Sequence, residues 1–520
     1  MKKTVSRKQF LQQMAWLSGG VSWGLGSMTG KAYAQMPSAF AAAAAGATRG
    51  KALVIIQLNG GNDGLNTIIP SEDDIYYSKR PDIAIKKGTG LAISNGMTFH
   101  PAMTGIKKLY DEGRVSVIQN IGYNNPDRSH FRATDIWHTG SDAKVVWDEG
   151  WAGRYLATKY PGFPMKLPKD PMAIQLGSVE SMLFQSDMGR FGTVFEDPNL
   201  FYQLVNGTSA DTDLPPATLA GDELGFLKQI ATSSIQYASV IQTGANKGKN
   251  TFTYPTTNLA KQLAIIAKLI SGGLETPIFL ANIGGFDTHA NQLNQHLNLW
   301  KNISDAVTAF QNDLKNQGLD EFVTVMTYSE FGRRVNQNGT LGTDHGTAAP
   351  MLVVGKTVKG GLIGPNPNLK NLDSNGDIKF VYDYRQVYST VLRDHLGLDA
   401  VNTQQIFKQS FERLPIFNNS VEELPENSSL ELVNPVPNPV EDFTLLQYSV
   451  FPPSVGVTKQ TIKLAVYDLS GQEVHVIDAG EKAIGSYQLT LDLSRLSAGF
   501  YIISLSSATG QRINKRMIKQ

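Results

Sequence analysis

The sequence predicts an α/β domain built on a largely parallel central sheet flanked by helices, followed by a small antiparallel β-sandwich. Three observations carry this. Short apolar runs of strand length recur along the first 400 residues, each ending in a Gly/Asn/Asp-rich cluster. Segments with helical apolar spacing alternate with them, as parallel sheets with crossover helices require. Near Leu414 the character changes, and only short alternating strands with Gly and Ser turns follow.

In chain order, "MKKTVSRKQFLQQMAWLSGGVSWGLGSMTGKAYAQ" has a basic start, a glycine-interrupted apolar stretch and a small-x-small site after Ala34. It reads as a signal peptide over residues 1–34. "SRKQFL" resembles the twin-arginine export motif, with Lys8 in place of the second Arg, so the Sec route stays open. An Ala-rich spacer covers 35–50. "KALVIIQLNGGNDGLN" opens the α/β domain of 51–414 with a buried strand, Ala52 to Leu58, running into a loop. A helix in "HPAMTGIKKLYDEG" precedes a strand over Arg114 to Tyr123. "NLAKQLAIIAKLISGGL" is a helix stopped by Gly272 and Gly273, "TPIFLANIGGFDTH" a strand entering a loop, and "LNQHLNLWKNISDAVTAFQNDLKNQGL" an amphipathic helix. "FVTVMTYSEFG" and "MLVVG" are strands on either side of the Asp344-His345 loop. Residues 415–433, rich in Pro, Asn, Ser and Glu, read as a linker, and 434–520 as the sandwich. Phe500 and Tyr501 fall where core aromatics are expected.

With 520 residues the chain is too long for one ordinary core. Its composition is that of a globular protein, 41% hydrophobic and 18% charged. A formal net charge of +1 gives no support for a nucleic-acid partner. The absence of cysteine excludes disulfides, thiolate metal sites and Cys nucleophiles. No later segment is apolar and long enough for a transmembrane anchor.

Four polar clusters stand beyond strand ends, where open α/β sheets place their ligands. They are Asp63 in "NGGNDGLN", Ser129 with His130 and Thr134 in "NNPDRSHFRATDIWHTG", Asp287 with His289 in "GGFDTHANQ", and Glu330, Asp344 and His345 in "SEFGRRVNQNGTLGTDHGTAAP". Carboxylates and imidazoles without thiolates suit divalent ions such as Zn, Mn, Mg or Ca. Plainer alternatives remain for each cluster taken singly. Asp63 could form a turn, Ser129 could be a helix N-cap, and Asp344-His345 could be turn chemistry. Together they suggest one centre that could clamp the oxygens of a displacement at phosphorus or sulfur. Asp344 and His345 are expected to face one cleft, close to Asp63 and Ser129, because Gly342 and Gly346 admit the dihedrals that turn both side chains inward. One nitrogen of His345 would meet the metal and the other would donate to an oxygen.

These same stretches, with "GWAGRYL" and "VKGGLIG", resemble the bacterial family known as domain of unknown function 1501 over Lys51 to Leu414. That family is placed in the alkaline phosphatase superfamily, with sulfatases and cofactor-independent phosphoglycerate mutases. The resemblance implies the alkaline-phosphatase-like fold, with Asp63, Asp287, His289, Asp344 and His345 as metal ligands and Ser129 in the place of the nucleophile. Arg128 or Arg333 would stabilise negative charge. Two departures stand out. The third cluster has Asp-x-His where the superfamily more often has Asp-x-x-x-His, and no His follows in "TAAPMLVVG". His130 or Glu330 is a substitute for that missing ligand, and His395 reads as structural.

From Asn434 to Gln520, "NPVPNPV", "VYDLSGQEV", "LDLSRLSAGFYIISL" and "INKRMIKQ" resemble the C-terminal sorting domain of the type IX secretion system. This implies a Bacteroidetes-type route through the periplasm to the cell surface or medium, with the type IX machinery as partner. The expectation is therefore an exported, metal-dependent hydrolase of phosphate or sulfate esters acting on a small-molecule or glycan ester. The alternative is a surface protein that keeps the fold, has lost turnover, and binds a glycan, a metal or a partner.

Overall fold

The computed structural model describes residues 50–207, 213, 215–216, 218–418 and 429–520 save 434, 436–437, 452–457, 469–470 and 509–510. The expected signal peptide and nearly all of the Ala-rich spacer lie outside the described residues, as does much of the linker. The described residues form two compact units. The first runs to Thr390 and takes back Leu414–Asn418, and the second holds Val391–Arg413 and the chain beyond 418.

The first unit is organised by a nine-stranded sheet. Its strands are β1 (Ala52–Leu58), β2 (Val115–Gly122), β3 (Ala173–Leu176), β4 (Gly192–Phe195), β5 (Ile278–Ile283), β6 (Val323–Tyr328), β7 (Ala349–Val354), β8 (Gly361–Ile363) and β9 (Tyr382–Asp383). They run in the order β8-β2-β7-β6-β1-β5-β3-β4, with β9 beside β2. All pairings are parallel except those of β7, which is antiparallel to both β6 and β2. The mostly parallel sheet is thus as the sequence predicts, and β1 and β5 fall on the expected residues. Every residue of β1 is buried, as an apolar run covered on both faces should be. Each of its Leu and Ile side chains contributes roughly 1.5–3 kcal/mol by leaving water.

Helices flank the sheet. They include α1 (Gly64–Thr67), α2 (Thr104–Asp111), α3 (His130–Thr139), α4 (Leu219–Lys247), α5 (Asn258–Ser271) and α6 (Gln292–Asn316). Helix α5 packs on β5 and α2 on β2, and α6 lies against both helices. The 29-residue α4 had no counterpart in the sequence reading. Its apolar residues are spread among Gly, Ser and Thr without a sharp stripe.

In the second unit, β10 (Leu430–Leu432), β11 (Phe443–Val450) and β14 (Gly485–Asp492) form one sheet. The strands β12 (Lys459–Asp468), β13 (Glu473–Ala483), β15 (Gly499–Ser507) and β16 (Arg512–Lys519) form the other. All pairs are antiparallel. Leu432, Leu446, Tyr448, Leu464, Ile503 and Met517 bring both sheets onto one core, which makes a sandwich. Two details differ from the sequence reading. Leu430–Leu432 is a strand inside the stretch read as linker. Phe500 is 59% exposed, because Ile503 and Leu505 occupy the inward positions of β15 and the period of two sends residue 500 outward. His395 is buried in the π-helical turn Val391–His395 of this unit.

Candidate metal centre

The loops after β1, β5 and β6, which are neighbours in the sheet, leave its carboxyl edge together. β2 is antiparallel to β7, as β6 is, and so brings a fourth loop, the one leading to His130, to the same edge. Because β7 returns antiparallel to β6, the connection from Ser329 to Ala348 must begin and end there. It is a pinned hairpin. Gly332 N donates to Thr347 O at 2.7 Å, Gly346 N to Gly332 O at 2.8 Å, and Arg334 N to Asp344 O at 3.0 Å. Gly342 and Gly346 serve close approach, not left-handed dihedrals, since neither has positive φ. A Cβ on Gly342 would stand 2.3 Å from the His289 carbonyl carbon, and one on Gly346 2.5 Å from that of Arg333.

Three imidazoles converge on one carboxylate oxygen. The Nε2 atoms of His289, His345 and His130 lie 3.1, 3.3 and 3.5 Å from Asp287 Oδ1. His289 Nε2 and His345 Nε2 are 2.9 Å apart. Each ring turns its Nδ1 to an oxygen: His345 to the Arg128 carbonyl at 2.9 Å, His130 to Glu330 Oε1 at 2.9 Å, and His289 to Asp344 Oδ1 at 3.4 Å. A carbonyl only accepts, so His345 carries its proton on Nδ1 and presents a lone pair from Nε2. Both ring nitrogens of His130 and of His289 face carboxylate oxygens, and a cation at Nε2 would leave their protons on Nδ1. This is the arrangement of metal-binding histidines, whose distal nitrogen is anchored by an oxygen. Metal–ligand bonds of 2.0–2.1 Å imply donor separations of about 3.3 Å in a tetrahedral set, and Asp287 Oδ1, His289 Nε2 and His345 Nε2 stand 2.9–3.3 Å from one another. The donor atoms of His130, Asp287 and His345 all lie within 4.8 Å of one another, a group able to hold a metal ion.

Electrostatics fit the same picture. Partial burial pushes the Asp287 carboxyl up, but the hydrogen bond and charge of Arg333 outweigh it and hold the group well below the usual carboxylate range. Asp287 is therefore an anion throughout the working range. The hydrogen bond to Glu330 raises His130, whereas burial lowers His345. Phe331 packs on both rings, with centroids 4.9 Å from His130 and 4.6 Å from His345.

The other expected site residues take different places. Asp63 is buried and saturated. Its Oδ1 accepts from Leu65 N and Asn66 N, and its Oδ2 from Arg80 Nη1 at 2.6 Å and from Gln292 Nε2. Both side chains of the Asp63–Arg80 pair are fully buried, so Asp63 does not join the imidazole cluster. It is linked to the Asp344 loop through Gln292, which also accepts from Thr343 Oγ1 at 2.6 Å, and through Arg80, which donates to the carbonyls of Arg334 and Val335. Asp344 is a partner of His289 and Asn338, not a neighbour of Asp287 Oδ1. Glu330 supports His130 and accepts from Gly60 N at 2.7 Å. Arg333 has no exposed side-chain surface; it donates to the carbonyls of Gly60, Gly61, Phe286 and Thr343 and to Asp287 at 2.7 Å. It ties loops together and has no face for a substrate. Arg128 pairs with buried Asp377 and keeps part of its side chain in solvent. Ser129 is the N-cap residue of α3, exposed, and its hydroxyl makes no capping bond. Residues on both sides of it touch the cluster, His130 through its ring and Arg128 through its carbonyl, so Ser129 stands at the rim.

The sequence named His130 only as a substitute ligand. "RSHF" on a helix start, after a strand and a Pro-Asp turn, was the available signal. Arg80 and Gln292, which hold Asp63, carried none.

Residues 241–406 match a family described as "Protein of unknown function (DUF1501)", and residues 436–520 match the secretion system C-terminal sorting domain. The first match contains Asp287, His289, Glu330, Asp344 and His345. Asp63, Arg128, Ser129 and His130 precede it. No curated protein matches the chain. Solved structures of similar fold include a protein in the alkaline phosphatase superfamily from Vibrio parahaemolyticus, at 11% identity and TM-score 0.34 over 83% of each chain. The PsFucS1 sulfatase from Pseudoalteromonas sp. aligns at 11% identity and TM-score 0.34, over 88% of this chain and 86% of that one. A Bacteroides thetaiotaomicron protein from work on glycosaminoglycan metabolism aligns at 10% identity and TM-score 0.34, over 86% and 90%. Among the described residues no helix is long and apolar enough to cross a membrane. The sorting-domain match speaks for export.

Proposed function

We propose that the protein is an exported, metal-dependent hydrolase of phosphate or sulfate esters, carried by type IX secretion to the cell surface or medium. The observation that supports it is the convergence of three Nε2 lone pairs on Asp287 Oδ1 at the carboxyl edge of the sheet. His130, Asp287, His289 and His345 would hold the ion, and an N3O donor set favours Zn over Mg or Ca, which prefer oxygen. When bound, the ion supplies Lewis-acid polarisation of an ester oxygen and lowers the pKa of a nearby hydroxyl. Asp287 and His289 are about half exposed, so an ester can reach the centre. Ser129 offers its free hydroxyl as nucleophile at the rim. Arg128 brings a cation beside it, restrained by Asp377. Glu330 and Asp344 keep His130 and His289 in the ligating tautomer, and Arg333 fixes Asp287.

One observation favours a second reading, a surface protein that binds metal without turnover. Four protein donors fill a tetrahedral ion and can leave it no open position.

Turnover of p-nitrophenyl phosphate and p-nitrophenyl sulfate with Zn, Mn, Mg or Ca separates the two. The hydrolase reading expects metal-dependent release that falls by about a thousandfold or more in Ser129→Ala, with metal content unchanged. Stoichiometric metal with no turnover of any ester would sustain the second reading.

A further inference from the structure

A cavity of about 740 Å3 opens beyond the carboxyl ends of β1, β5 and β3, and none of the four metal-site donors lines it. Amide side chains recur along its wall. Gln57 stands next to the end of β1, Asn59 directly follows the strand, Asn282 stands near the end of β5, and Gln262 comes from α5. The loop Gly177–Ser181 after β3 closes another side.

Part of this wall is locked. Gln175 holds the loop, donating to Val179 O and accepting from Ser181 N at 2.9 Å. Gln262 does the same for Asn282, donating to its carbonyl at 3.0 Å and accepting from its N–H at 2.9 Å. His138 Nδ1 meets Ser181 Oγ at 3.2 Å, while its Nε2 is held by Tyr328 at 2.6 Å. A wall ordered in advance spends little on ordering when a ligand arrives.

Other groups on the wall are unspent. Gln57 is only 8% exposed, yet its amide has no hydrogen-bond partner among the described residues. A polar side chain near the end of an otherwise apolar buried strand costs stability unless something meets it. Glu180 Oε1 is buried with no partner, although its Oε2 is held by Arg190 at 2.5 Å. Among the described residues the Asn59 side chain likewise has no hydrogen-bond partner. Amides and a carboxylate offer donors and acceptors side by side, which is what hydroxyl groups require.

The charge narrows the class. Glu196 and Asp197 face the cavity against Lys261, the one cation on its wall among the described residues, while Glu180 is already paired with Arg190. Such a lining repels phosphate, sulfate and polyanions. We propose that this cavity is a binding site for a neutral, hydroxyl-rich ring, one sugar unit in size, held by Gln57, Asn59 and Glu180. The site goes beyond the hydrolase reading and does not depend on it. His138, on its wall, stands at the far end of α3 from His130, about 12 Å along the axis.

Isothermal titration calorimetry on the full chain tests this with D-glucose, D-galactose, N-acetylglucosamine, cellobiose and lactose, and with inorganic phosphate and sulfate as anion probes. Saturable binding of at least one sugar is expected, weakened by about tenfold in Gln57→Leu and in Asn59→Ala. His345→Ala and chelator treatment, which disable the metal centre, should leave sugar binding unchanged. Asn59→Ala lies in a loop and covers the case in which Gln57→Leu fails to fold. No heat from any of the five sugars would overturn the proposal. So would anions that compete for the site, or sugar binding indifferent to both substitutions.

Discussion

His289 and His345 face each other Nε2 to Nε2 at 2.9 Å, while their Nδ1 atoms are turned to Asp344 and to the Arg128 carbonyl. Rings anchored through Nδ1 in this way bring their Nε2 lone pairs together. A cation shared with Asp287 Oδ1 turns that repulsion into attraction. Removing a donor should therefore cost more than removing an anchor. Competition against a chromogenic chelator should show His345→Ala weakening metal binding by more than about 100-fold, and Asp344→Asn or Glu330→Gln by about 10- to 100-fold. Equal affinities in all of these variants would sink the metal centre.

Asp63 separates a ligand role from a structural one. Its carboxylate lies 2.6 Å from Arg80 with both side chains fully buried. Burial pushes its pKa up, but the charge and hydrogen bond of Arg80 dominate and hold it below the ordinary 3.8. Asp63→Ala strands a buried guanidinium and should destabilise the fold by about 3–5 kcal/mol in urea unfolding. Metal affinity of the folded fraction should stay at the wild-type value. A variant of normal stability that no longer binds metal would reverse the assignment.

Acid should weaken the first unit in a defined window. Burial holds His100 and His138 at about 4 and His296 at about 3, against 6.5 in an open chain. Between these limits the unfolded chain binds more protons than the native one, so stability rises with pH. It is complete above about 6.5 and is lost as pH falls from there toward 4 and below. Melting temperatures across pH 7 to 4 should fall steadily in wild type and less steeply in His138→Gln. Parallel curves would show that His138 does not carry its share.

The sorting tail should be separable from the first unit. The sandwich core draws its buried side chains from Leu430 to Met517 alone. Deleting Asn434 to Gln520 should leave thermal unfolding of the α/β unit in place. In a host with type IX machinery the shortened protein should remain in the periplasm. Normal surface display after deletion would refute the sorting role.

Much of the architecture could be read without coordinates. Residues 52–58, 278–283 and 323–328 are apolar runs of strand length closed by Asn59, Gly284 and Ser329, and all three are neighbours in the sheet. The weakly patterned stretch holding α4, β3 and β4 could not, because β3 is only Ala173–Leu176 and α4 mixes Gly, Ser and Thr into its faces. Phe500 shows the limit within a strand that was recognised: composition suggested an inward aromatic, and only register says which face it takes.

By itself the sequence determined the residue types of the site and the strand ends where they stand. A chain of alternating strands and helices must gather its strand-end loops at one edge, so Asp287, His289 and His345 were bound to share a neighbourhood. Tertiary structure decided what each group does there. Asp63 and Asp287 are both carboxylates in glycine-rich loops after parallel strands, and nothing local tells them apart. The difference lies in what packs against them. Arg80 and Gln292 fill Oδ2 of the first, whose Oδ1 is taken by the Leu65 and Asn66 N–H groups, whereas the second keeps Oδ1 turned toward three imidazoles. Saturation of hydrogen-bonding capacity depends on distant side chains, and only the folded chain brings them within reach.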